Sequence, residues 1–249
     1  MYLSKGKIAV ARNPLTLSLF LVLIISLSNC KNKVEEPQMD MRGFPQEIGD
    51  IMLNQCATAG CHTDQSKIAA GGLSLSSWDK LFEGSKGGAP VIPYRADQSY
   101  LMYAINPGYG DDVVLSPTMP FNASPLSVDQ YNLVKDWINN GAMNDLGQVK
   151  FADNPERRKF YVTNQGCDMI SVFDAHTQIL MRYVDVGSSS EVESPHQIKV
   201  APDGEYWYTI FFVGSTIEKY NAENDQHVGS VTIGEGSWNT FRISEDGKI

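Results

Sequence analysis

The chain is short of basic charge. Twenty Lys and Arg stand against 29 Asp and Glu in 249 residues, a formal −9. With no cationic surplus to neutralise phosphates, a nucleic-acid partner is excluded. Cysteine is scarce, and four residues are too few for a disulfide scaffold. Long hydrophobic runs are missing too. The longest, LTLSLFLVLIISL at 15–27, falls short of the ~20 residues a spanning helix needs. No Ser-His-Asp set or phosphate-cradling loop stands out. What is present, 20% charged and 10% aromatic residues, fits a folded chain.

Lys5, Lys7 and Arg12 precede the apolar run, and no acid does. A basic start before a short apolar core reads as a secretory signal over 1–29. The run ends in Leu-Ser-Asn-Cys, which resembles a bacterial lipobox. Cys30 would then be lipidated and hold the protein on a membrane surface without spanning it. The other reading is an ordinary signal peptide with a leftover Cys. Residues 30–45, polar with Pro37 and Pro45, read as a tether.

Two patterns follow, separated by a polar linker at 144–157. Residues 46–143 look helical. Ile48, Ile51 and Met52 share one face, and the stretches near Trp78–Phe82 and Ser99–Ile105 are short helix candidates. The clearest helix starts at Ser127, with Gln130 three residues on as a capping box and Leu126 with Tyr131 as a staple. Tyr131, Val134, Trp137 and Ile138 form its apolar face, and Asn140-Gly141 ends it.

Within this part lies CATAGCH, residues 56–62. Two thiols that join the vinyl groups of one porphyrin, and a His that meets iron, require the second Cys and the His to be adjacent. The commoner attachment run has two residues between the cysteines. Here there are four, all small, and two can loop out. A Cys56–Cys61 disulfide and a zinc site that borrows a fourth ligand are the alternatives. Downstream, Met119 stands between Pro117 and Pro120, where no helix interior can form. A thioether there is a soft ligand that raises the potential of a His-ligated haem. Met102 and Met143 are its rivals.

CATAGCH, GGLSLSSWDKLFEG, GGAPVIPYRADQSYL, the TMP tripeptide and LSVDQYNLVKDWINNGA occur in that order. Over 44–143 this resembles the planctomycete-type c cytochrome domain. The resemblance implies one covalent haem c on Cys56 and Cys61, with His62 and Met119 as iron ligands. It departs from that pattern at Tyr94-Arg95, where such domains more often show Pro-Gly.

Residues 158–249 are rich in strand-forming runs between turns. A period of 47 aligns Tyr161 with Tyr208, Ile170 with Ile217, Asp174-Ala175 with Asn221-Ala222 and Gly187 with Gly234. The Tyr-Val-Thr-Asn run at 161–164, with VFD and PDG after it, resembles the YVTN family of β-propellers. Propellers need ~4–8 blades, and about two are present, so a fragment of a longer protein is expected. His196 reads as a hydrogen-bonded turn residue, His176 and His227 as solvated, and Cys167 as packing.

The expected fold class is multidomain: a small all-α cytochrome c-like domain, then an all-β propeller portion. The expected function is an exported electron-transfer protein, an electron carrier rather than a stand-alone enzyme, meeting a redox partner protein. Two other readings stay open. One is a scaffold lipoprotein whose Cys pair is a disulfide. The other is a fragment of a haem-coupled oxidoreductase.

Overall fold

Glycine and proline decide how much helix the first half can hold. Between residues 71 and 125 they recur too closely for a long helix to propagate. Accordingly the helices are short: α1 Gln46–Ile51, α2 Trp78–Leu81, a 3₁₀ turn Ala96–Gln98 and α3 Tyr100–Ala104. Among the described residues only α4, Val128–Asn139, runs three turns, and no Gly or Pro interrupts it. The computed structural model describes residues 39–110 and 113–249. The signal segment and Cys30 lie outside the described residues.

The start of α4 is built as its sequence dictates. Ser127 accepts from the Gln130 amide, and the Gln130 side chain accepts from the Ser127 amide. Leu126 and Tyr131 are both buried beside it. Trp137 Nε1 donates to Met143 O at 2.9 Å, and Trp78 Nε1 donates to Ala142 O at 2.8 Å. These two bonds fold the chain after α4 back over the helical core. Phe44, Ile48, Met52, Leu81, Leu126, Val134 and Ile138 lie in that core.

The strands form two antiparallel sheets. β1 Lys159–Asn164, β2 Met169–Asp174 and β3 Leu180–Asp185 make the first, in that order. The second runs β4 Pro195–Val200, β5 Tyr206–Phe211, β6 Gly214–Asn221 and β7 His227–Gly236. The 47-residue period is a structural repeat. Tyr161 pairs with Val172 as Tyr208 pairs with Lys219, and Lys159 with Asp174 as Tyr206 with Asn221. Gln178 and Asp225, one period apart, both take φ of 61°.

The two sheets meet over Ile170, Trp207, Phe211 and Tyr220. A buried carboxylate joins them. Asp225 accepts from Lys159 Nζ, the Tyr161 hydroxyl and Trp207 Nε1, each at 3.0 Å. Burying that charge is tolerable only because every oxygen is met by a donor.

The expected fold class is corrected by this arrangement. Among the described residues more lie in strands than in helices, and the first half is mostly loop rather than an all-α domain. Its loops are held by turns with positive φ, such as Gly71 and Gly72, instead of by helix. The strands make a three-stranded and a four-stranded sheet and do not close into a propeller. Two sheets bury one inter-sheet core, and a closed ring needs more of them.

A candidate haem-attachment site

The site begins where α1 widens. At Met52–Cys56 the helix becomes a π turn, and the Ala57 amide reaches back to Met52 O at 2.7 Å. Such widened turns frequently mark functional sites. The spacer then loops out as a tight turn. Cys61 N donates to Thr58 O at 3.0 Å, and Gly60 takes the positive φ of 83° that its third position requires. His62 N closes the ring by donating to Cys56 O at 3.1 Å. Four small residues thus span the gap, and the backbone of His62 returns to that of Cys56.

Cys56 and Cys61 are unbridged thiols. Burial, reinforced by the charge of neighbouring Cys61, pushes the Cys56 thiol up to about 12. Burial also pulls the His62 imidazole below its ordinary value, against a smaller opposite effect of Leu73. Neutral imidazole is the form that binds a metal. Its Nδ1 lies 3.4 Å from Leu73 O. With that nitrogen facing a carbonyl, Nε2 is the one left for another ligand.

Met119 sits on a separate loop. Its amide donates to Ala104 O, at the end of α3, at 2.7 Å. Met119 and Cys56 pack, half-buried, against the same helical core, as do Leu73 and Tyr109. The rival methionines have other places. Met102 is buried in α3, and Met143 is half-buried with its carbonyl taken by Trp137.

The donor set fits a porphyrin: two thiols, an imidazole with one nitrogen engaged, and a thioether. Ile68, six residues past His62, is 78% exposed, and Phe121, two past Met119, is 61% exposed. Among the described residues no three His, Cys, Asp or Glu are arranged to hold a metal ion.

Two residues that the sequence reading passed over shape this site. The Ser66 hydroxyl donates to Cys61 O, and Thr63 Oγ1 lies 2.6 Å from Ser66 Oγ. A Thr and a Ser three apart, directly after the His, were the available signal. Outside the site, Cys167 is exposed at a turn rather than packed. His196 is hydrogen-bonded, but within β4, with Gln165 Nε2 at 2.9 Å from its Nδ1. His176 and His227 are exposed.

Residues 59–114 match the sequence model of the planctomycete cytochrome C family. That stretch holds Cys61 and His62 and makes this segment cytochrome-like, with a haem-related role. Among solved structures, a hydrazine synthase of Kuenenia stuttgartiensis aligns at 26% identity over 36% of this chain and 25% of its own, with a TM-score of 0.32. The dihydro-heme d1 dehydrogenase NirN, in complex with DHE, aligns at 14% identity over 66% of this chain and 38% of its own, also at 0.32. This chain spans less than half the length of either. No curated protein matches it. Among the described residues, no helix is long and apolar enough to cross a membrane.

Proposed function

We propose that the protein is an exported electron-transfer protein carrying one covalent haem on Cys56 and Cys61, with His62 and Met119 on the iron. The observation that carries the reading is the closed loop from Cys56 to His62. One hydrogen bond, His62 N to Cys56 O at 3.1 Å, closes the backbone from the first Cys to the His despite the longer spacer. The cytochrome C match over residues 59–114 supports it.

A haem held there would supply a one-electron iron couple, with Cys56 and Cys61 as the residues that would tether it. The chain does the rest. Leu73 O orients the imidazole. The Ala104 carbonyl pins the Met119 loop through its backbone. The core beneath Cys56 and Met119 keeps water from one side of the site. With His62 and Met119 both holding such a group, it would serve electron transfer rather than chemistry on a bound substrate. The basic, apolar leader supports export, and lipid on Cys30 would tether the protein to a membrane surface. The redox partner would be a protein that meets the acidic surface.

The test is mass spectrometry and a pyridine haemochrome assay on full-length protein made with cytochrome-maturation machinery. One haem per chain on two thioethers is expected. Recovery of a Cys56–Cys61 disulfide with no added tetrapyrrole mass would falsify the reading.

A further inference from the structure

The peptide that joins Cys61 to His62 is clamped on both edges. Its N–H donates to Cys56 O at 3.1 Å. Its C=O accepts the Ser66 hydroxyl. Ser66 is itself fixed by Thr63. The two side-chain oxygens are 2.6 Å apart, Thr63 N donates to Ser66 Oγ at 3.2 Å, and Ser66 N donates to Thr63 Oγ1 at 3.3 Å. On the far side, the His62 carbonyl accepts Leu75 N at 2.8 Å.

This peptide plane matters more than its neighbours. Cys61 hangs from one side of it and His62 from the other, so rotating it redirects a sulfur and an imidazole together. The spacer adds freedom, because Gly60 accepts conformations other residues avoid. We infer that Ser66 is a positioning residue: its hydroxyl, set by Thr63, fixes the Cys61–His62 peptide and thereby aims the second thioether sulfur and the proximal imidazole. Ser66 touches no reacting atom and acts only through that carbonyl. The inference rests on the haem reading above.

The experiment compares full-length wild type, Ser66→Ala and Ser66→Thr, each made with and without maturation machinery. In the unloaded protein, amide hydrogen exchange at His62 is expected to quicken about fivefold in Ser66→Ala, the worth of one net hydrogen bond. Ser66→Thr, which keeps the hydroxyl, should exchange like wild type. In the loaded protein, the share of chains with both thioethers should fall in Ser66→Ala by a similar factor, and the reduction potential should shift. Wild-type exchange and wild-type thioether content in Ser66→Ala overturn the role. An equal loss in Ser66→Thr overturns it as well, since volume and not the hydroxyl would then matter. Should wild type itself gain no haem mass, the haem reading falls, while exchange at His62 still decides whether Ser66 holds the peptide.

Discussion

Met119 is held in place by its backbone and offers its side chain separately. The bond from its amide to Ala104 O survives replacement by alanine, because no side-chain atom takes part. Met119→Ala should therefore keep the loop and remove only the thioether. In the loaded protein the reduction potential is expected to fall, and the ferrous form should bind carbon monoxide. An unchanged potential and spectrum would remove Met119 from the iron. Asp174 offers a second residue-scale test. Burial disfavours its charge, but hydrogen bonds from Thr177, Arg157 and His176 outweigh that and hold the carboxyl down to about 2. Its side chain is only 2% exposed. A depressed carboxyl stabilises the fold above its unfolded value near 3.9, and that contribution is lost as pH falls toward 2. The loss is roughly 2 kcal/mol, measurable by urea unfolding between pH 5 and 2.5. Asp174→Asn should flatten that part of the profile, and an equally steep profile in the variant would assign the acid sensitivity elsewhere.

At the scale of elements, α4 is the best test of local sequence logic. Removing the Ser127 hydroxyl orphans the Gln130 amide, so Ser127→Ala should cost about 1 kcal/mol in thermal or urea unfolding. A cost near zero would mean that the core alone holds the helix start. This helix could be read from sequence because its cap, staple and apolar face all lie within one short stretch, residues 126–138. The strand repeat was legible for a related reason, since paired positions such as Tyr161 and Tyr208 recur at one spacing. The proposed attachment run stands out in the sequence through Cys61 and His62, which haem attachment would require to be adjacent. What stayed hidden depends on residues far apart. Asp225 meets Lys159 across 66 positions, and nothing local marks either as buried. The short helix expected near Ser99 is present as α3, and helix in the first half as a whole was overestimated because glycines and prolines leave mostly loop between the short helices. Cys167 was misplaced because its turn, not its apolarity, fixes its exposure.

For the molecule as a whole, the question is what couples the cytochrome-like half to the strands. Asp40–Ile249 pack as one unit, and two kinds of contact join the halves. One is apolar. Met181 on β3 is 2% exposed and belongs to the helical core, Ile179 packs on that core, and Phe151 before β1 is buried in it. The approach is close enough that a side chain on Gly84 would stand 2.6 Å from Ile179 Cδ1. The other contact is ionic. Arg95, where the resemblance expected Pro-Gly, donates to Asp185 on β3 at 3.0 Å and to Asp97 at 3.1 Å. Asp185 is 76% exposed, so solvent screens this pair and limits it to about 1 kcal/mol or less. Truncating a buried methionine instead removes its transfer energy and leaves a cavity, about 2–5 kcal/mol. Met181→Ala should accordingly lower the urea midpoint several times more than Arg95→Ala. In Met181→Ala, tryptophan fluorescence, which reports both halves, is expected to unfold at lower denaturant. If Arg95→Ala costs as much as Met181→Ala, the ion pair and not the shared core is what binds the two halves.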